Sequence, residues 1–219
     1  MCCLHNLGRF ISNGDFYFGR NMDISDSFGE QVVITPRNVP VRTKRCAVLQ
    51  EHYAIIGMAN VTQHTPLYAE AANEKGLCIA SLNFPGHPSY QTADQKEAPT
   101  QKRMLAPYEL IPYLLSVCAT VEEVRRLVPD ICVIALPFCE HLPVVSLHWI
   151  VADQTSCIVL EPENGALHIY DNPLGVLTNN PPFPFHQENV RQYLRVSAQS
   201  PKNEIVPQLP LTPFGQGIG

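Results

Sequence analysis

The sequence predicts an α+β fold. Two groups of strand-like runs, residues 31–82 and 131–170, are separated by a pair of helical segments at 104–128. Its 219 residues suit one ordinary domain, and 45% hydrophobic with 16% charged residues describes a globular chain able to build a sizeable core.

The first element expected is a hairpin. Asn13-Gly14 sits between the apolar runs Leu4–Ile11 and Phe16–Phe18, a strong two-residue turn signal. A tight turn there pairs Asp23 with Leu4, whereas a four-residue loop, Ile11–Gly14, pairs it with Cys2. Both place Asp23 near the N-terminus, because a slip of two preserves strand parity. Gln31–Thr35, Ala47–Gln50 and Tyr53–Ala59 read as strands. Asn73–Gly76 is a turn, and Leu77–Leu82 a strand leading into Asn83-Phe84-Pro85-Gly86. Residues 87–103 are polar and aperiodic, which predicts a surface loop.

A helix is expected from Met104 to Cys118. Met104, Tyr108, Ile111 and Leu115 form one apolar stripe and Leu110, Leu114 and Val117 a second, so both faces should be buried. Thr120-x-x-Glu123 is a capping box opening a second helix that Pro129 stops. Strands follow at Ile131–Leu136, Leu147–Ala152, Cys157–Glu161 and Leu167–Tyr170. Residues 187–196 read as a short amphipathic helix, and the Pro-rich tail from Ser197 shows no clear element.

Charge and composition exclude several function classes. A net charge of −5 with no basic stripe argues against nucleic-acid binding. No apolar run approaches a membrane span, and no secretory signal is visible, so a cytoplasmic location is expected. Of the eight cysteines, Cys78, Cys118, Cys132 and Cys157 lie in apolar runs and read as small buried hydrophobes in a reducing compartment. No CxxC pair exists, and neither a metal nor an organic cofactor is expected.

The chemistry points to the N-terminus. Cys2 directly follows the initiator Met, and removal of Met1 would leave a thiol and a free α-amine on one residue. An α-amine titrates at roughly 7.7–8.0, so near neutrality it can accept the thiol proton and later return it. Asp23 could hold that amine. Arg20 has the opposite strand parity to Asp23 and would lower the thiol pKa if the strand bends near Gly19 to bring it there. A further dense stretch, Asp171-Asn172-Pro173-Leu174-Gly175-Val176-Leu177-Thr178-Asn179-Asn180-Pro181, reads on its own as a double turn.

Cys2, Phe18-Gly19-Arg20-Asn21-Met22-Asp23, Leu82-Asn83-Phe84-Pro85-Gly86 and the Asp171–Pro181 stretch together resemble the choloylglycine hydrolase family, which contains bile salt hydrolases and penicillin V acylases. The resemblance runs from Cys2 to Gly219. It implies an N-terminal-nucleophile αββα four-layer sandwich and a catalytic set of Cys2, Arg20, Asp23, Asn83 and Asn179. Cys2 would be the nucleophile, and Asn83 and Asn179 would donate to the oxyanion. Met22, Phe138 and Leu142 would line the apolar substrate pocket. The implied substrate is a conjugated bile salt, with Asn83 favouring it over penicillin V, where a Tyr is common at this place. The alternatives are a penicillin V or N-acyl-homoserine lactone acylase, or a non-catalytic remnant of the fold. A homotetramer is expected from the family alone. Phe214-Gly215-Gln216-Gly217 resembles the opening of a family segment that continues to a further active-site Arg. The expectation is therefore a single domain over 1–219 that lacks its C-terminal part and is weakly active or inactive alone.

Overall fold

The structure, a computed structural model, describes residues 7–22, 27–93, 102–193, 196, 204–206 and 209–211. It divides into two compact units, Met1–Pro182 and Phe183–Gly219.

The first unit opens with the expected hairpin, β1 (Leu7–Ser12) and β2 (Asp15–Arg20). Asn13 and Gly14 both have positive φ, 54° and 86°, the signature of a type I′ turn whose twist matches the strands. Ser12 pairs with Asp15 and Leu7 with Arg20, which is the tight-turn register. The partners that this register would give Asp23 lie outside the described residues.

Four strands follow that belong to one seven-stranded sheet: β3 (Glu30–Thr35), β4 (Ile55–Thr62), β5 (Thr65–Asn73) and β6 (Cys78–Asn83). The run at 47–50 is not a strand; it contributes a single bridge, Leu49 to Val41. β5 is an element that the sequence pattern did not suggest. It follows β4 through Gln63-His64, both with positive φ (50° and 59°), so an I′-type turn forms without the usual Asn or Gly.

The stretch at 87–103 contains one short strand, β7 (Gln91–Thr92), and ends at the start of another, β8 (Arg103–Leu105); these pair in parallel with β9 (Ile131–Ala135) on its two sides, and residues 94–101 lie outside the described residues. The helix expected from Met104 begins later. Pro107 has no N–H, and Ala106 before it is extended (φ −71°, ψ 157°), so a 3₁₀ turn at Pro107–Glu109 precedes α1 (Leu110–Val117). Five of the eight α1 residues, Leu110, Ile111, Tyr113, Leu114 and Leu115, are buried hydrophobics, as two apolar stripes require. Asn73 terminates this helix: its amide donates to Leu115 O at 2.9 Å and Cys118 O at 2.7 Å. The Asn73 Oδ1 accepts from Lys75 and Leu77 N–H, so the predicted turn doubles as a helix cap.

The second helix, α2 (Val121–Leu127), begins where the capping box places it. Glu123 N–H donates to Thr120 Oγ1 at 3.2 Å, while the Glu123 carboxylate reaches past Thr120 to Ala119 N–H. Asp153 accepts from Val121 N–H and so stitches α2 to the sheet. The remaining strands are β10 (Leu147–Ala152), β11 (Cys157–Glu163), β12 (Ala166–Asp171) and β13 (Val176–Leu177).

The large sheet runs β12-β11-β10-β6-β5-β4-β3, and a small sheet runs β13-β1-β2. Ala71, Ile79, Val151 and Ile158 form a row across the large sheet and join α1 in the core cluster. Their strand neighbours Glu70, Ala80, Ile150 and Val159 point to the opposite face. There Arg20 of β2 meets Glu70 of β5, so the small sheet lies on the face away from α1. The described layers of this unit are thus helix, sheet, sheet.

Cys78, Cys118, Cys132 and Cys157 are buried thiols, as expected, and burial pushes the first two up to about 12. The second unit contains α3 (Phe183–Asn189), a 3₁₀ turn over Val190–Tyr193, and a hairpin of β14 (Glu204–Val206) and β15 (Leu209–Leu211) in the tail expected to lack an element. Among the described residues, no helix is long and apolar enough to cross a membrane.

Candidate active site

Three of the sequence-predicted residues converge through strand register. Leu7 of β1 pairs with Arg20 on one side and with Leu177 on the other. The end of β2, the start of β1 and the end of β13 therefore meet at one end of the small sheet. Asn179 lies two residues beyond β13 at this end. Its Nδ2 donates to Asn83 O, the last residue of β6, at 2.6 Å. The next residue repeats the link, with Asn180 Nδ2 donating to Pro85 O at 2.9 Å. The Asp171–Pro181 stretch is thus clamped onto the Asn83–Gly86 corner.

The clamp is built by Asn172. Its Oδ1 accepts from Gly175 N–H and its Nδ2 donates to Val176 O, which closes the turn and aims the chain along β1. The Asn83 corner is stiffened from beneath. Phe84 is 1% exposed, and its ring stacks on His148 at 4.1 Å and 9° and on His87 at 4.7 Å and 22°. Fully buried His148 and Glu161 are 2.9 Å apart. Phe84 N–H donates to Ser146 O, which ties the corner to the loop before β10.

Arg20 is nearly enclosed, its side chain 6% exposed. Its Nε lies 3.4 Å from Glu70 Oε2 without hydrogen-bond alignment, and its Nη1 donates to Ala69 O at 3.4 Å. Ser81 Oγ donates to the same Ala69 carbonyl at 3.1 Å, two residues before Asn83 on β6. Burial pulls the Arg20 pKa down and Glu70 pulls it back up. Burial likewise pushes the Glu70 carboxyl up, against the pull of Arg20. Glu70, which meets Arg20, is a residue that sequence reasoning did not single out. The available signal was one carboxylate inside Leu67-Tyr68-Ala69-Glu70-Ala71-Ala72, a run otherwise free of charge.

The residues expected to line the substrate pocket fall into two places. Met22 follows β2 and is half-buried. Phe138 and Leu142 flank a tight turn in the loop after β9, closed by the Cys139–Leu142 bridge. The half-buried Phe138 ring packs edge-on against Tyr108 at 5.3 Å, while Leu142 is 37% exposed. Lys44 braces this loop, donating to Phe138 O at 2.5 Å with its ammonium 5.6 Å from the Phe138 ring. Cys2 and Asp23 lie outside the described residues. A cleft of about 760 Å³ bordered by Arg45, Arg103, Arg126 and Tyr113 contains none of the predicted site residues.

Arranged this way, Asn83, Asn179 and the Arg20 guanidinium lie toward one end of the small sheet, side chains of the kind that can stabilise developing negative charge. Comparisons with known proteins point the same way. Residues 11–219 match the family described as linear amide C–N hydrolases, choloylglycine hydrolase family. A bile salt hydrolase/transferase of Lactiplantibacillus plantarum is 42% identical over 203 residues, covering 93% of this chain and 61% of that protein. The C2A mutant of the conjugated bile acid hydrolase from Clostridium perfringens shares the fold with a TM-score of 0.84 at 33% identity, over 97% of this chain and 64% of that one. The penicillin V acylase of Agrobacterium tumefaciens shares the fold more distantly, with a TM-score of 0.66 at 20% identity over 86% of this chain and 56% of that one. The chain therefore spans less than two thirds of the length of these relatives.

Proposed function

The chain belongs to the choloylglycine hydrolase family of linear amide C–N hydrolases, and from that premise we propose that it cleaves the amide bond of glycine- or taurine-conjugated bile salts with Cys2 as nucleophile. The observation that carries the proposal is the Asn179–Asn83 contact at the strand ends beside Arg20. It supports the reading because acyl transfer needs amide donors near the reacting carbonyl, and the chain is 42% identical to a bile salt hydrolase/transferase.

In this mechanism the α-amine of Cys2 takes the thiol proton, and the thiolate attacks the amide carbonyl. Negative charge develops on the carbonyl oxygen. Asn179, held through one N–H on Asn83 O, and the Asn83 amide donate to it. The amine returns its proton to the departing glycine or taurine, leaving a thioester of the steroid acid. Water activated by the same amine then releases the acid. Arg20 holds the thiol toward its ionised form and Asp23 orients the amine. Met22, Phe138 and Leu142 take the apolar steroid. The position substituted in the C2A mutant of the Clostridium perfringens enzyme carries the same number as the Cys2 of this chain. The reading includes a cytoplasmic, reducing location for the thiols and a homotetramer, which light scattering checks.

The test is hydrolysis of glycocholate, taurocholate, penicillin V and an N-acyl-homoserine lactone, run beside a family-length relative, with mass spectrometry of the N-terminus. Preference for penicillin V or the lactone overturns the substrate assignment. Retention of Met1 on every molecule removes the free amine and overturns the nucleophile. Cys2→Ser, nearly isosteric but far harder to ionise, is expected to fold and to lose almost all turnover. Turnover by the relative with little or none by this chain is the expected result; absence of turnover together with an N-terminal thiol that iodoacetamide does not label at neutral pH favours a non-catalytic protein.

A further inference from the structure

Across the large sheet runs a row of side chains in register: Val32, Met58, Glu70, Ala80, Ile150 and Val159. Five are apolar, and Ala80, Ile150 and Val159 are fully buried. Val32 at the edge is 73% exposed, but the Glu70 side chain is only 24% exposed, and a carboxylate so far withdrawn from water asks for a partner. The described charged group that meets it is Arg20, which crosses from the small sheet and is itself 6% exposed. Neither Arg20 Nε nor Glu70 Oε2 makes a hydrogen bond to a described residue, so the pair is held by charge rather than by a bidentate fork, and Arg20 is anchored separately on Ala69 O.

We infer that Glu70 is a positioning residue: it holds the Arg20 guanidinium at the N-terminal end of the small sheet, and through Arg20 it sets the acidity of the Cys2 thiol. A guanidinium only 6% exposed that loses its counter-charge gains by swinging out to water, and it then stops favouring the thiolate. The opposed pKa directions of Arg20 and Glu70, each set first by burial and second by the other, fit two groups that depend on one another. The inference rests on the reading of Cys2 as nucleophile and Arg20 as its cationic neighbour.

The test measures ionisation and not turnover. The pH dependence of Cys2 alkylation by iodoacetamide is followed on the N-terminal peptide by mass spectrometry, in the 219-residue chain. Glu70→Ala is expected to raise the alkylation midpoint by roughly one pH unit, slowing alkylation about tenfold at neutral pH. Glu70→Asp, which keeps the charge, is expected to restore most of the loss. In an Arg20→Gln background, Glu70→Ala is expected to add nothing, because its effect passes through Arg20. Should Glu70→Ala fail to fold, Glu70→Gln fills the same volume without the charge and is expected to move the midpoint the same way by less. An unchanged midpoint in the folded Glu70 variants, with Arg20→Gln still raising it, overturns the positioning role. So does an equal Glu70→Ala shift with and without Arg20. If Arg20→Gln leaves the midpoint where it was, the failure lies in the underlying assignment of Arg20 to the thiol, and the inference falls with it.

Discussion

At the scale of single residues, Asn179 and Glu74 show how differently two polar side chains act. Asn179 is half-buried and anchored on a carbonyl, so its amide cannot turn freely. On the proposed oxyanion role, Asn179→Ala removes a donor to the developing charge, and kcat is expected to fall by about 10²–10³ with KM little changed. Steady-state kinetics on glycocholate decides it; an equal rise in KM would instead mark a binding role. Glu74 is structural. Its carboxylate accepts from the Arg37 guanidinium and from Ala54 N–H, and these hold its pKa at about 2, below an ordinary 4.5. A depressed carboxylate contributes its stability above the unfolded value and loses it as pH falls through the folded one. The thermal midpoints of the parent and Glu74→Gln are therefore expected to differ near neutrality and to converge between pH 4.5 and about 2. Asn83, Asn179 and Arg20 were singled out through the family-like motifs that contain them, and strand register brings Arg20 and the Asn179 segment to one end of the small sheet. Glu70 was not singled out, since its reason for being charged is Arg20, 50 positions away in the sequence and on another sheet.

At the scale of elements, legibility followed the kind of signal. The β1–β2 turn and the start of α2 announced themselves through Asn13-Gly14 and Thr120-x-x-Glu123, and both form where expected. β5 hid behind Gln63-His64, residues that rarely take positive φ, and Glu70 broke its apolar pattern. The start of α1 was set too early because Met104 and Leu105 keep helical spacing while belonging to a parallel strand pair, a tertiary fact. Its end depends on Asn73, which is 5% exposed and occupied on both its oxygen and its nitrogen. Asn73→Ala leaves the Leu115 and Cys118 carbonyls and two turn N–H groups without their partner. The expected cost is about 1–3 kcal/mol, read from the denaturant midpoint at unchanged m-value.

At the scale of the whole molecule, burial is uneven across the large sheet. Around β10 and β11 both faces are covered. At the β3 edge, Val32 is 73% exposed, Ile34 63% and Ile56 49%, and Ile34 pairs directly with Ile56. A β-branched edge strand with an apolar face is a template for association. The 219-residue chain is therefore expected to bind an apolar dye and to self-associate with rising concentration, and Val32→Lys with Ile34→Thr to suppress both. Analytical ultracentrifugation of the two proteins side by side measures it, and equal sedimentation would locate any association elsewhere. The sequence indicated the α+β class and the helix pair that covers one face. It could not indicate this exposure, because which side of β3 receives a covering layer depends on elements far along the chain.

The alternation in β2, with Phe16, Phe18 and Arg20 half-buried between exposed Asp15, Tyr17 and Gly19, makes the strand an odd–even counter. One extra codon between Phe16 and Arg20 would send the guanidinium out to solvent, and two would bring it back inside. Insertion scanning of this short stretch should therefore yield an alternating record, with thiol acidity lost at one added residue and largely recovered at two. Along β2, then, the spacing that matters is a parity rather than a length.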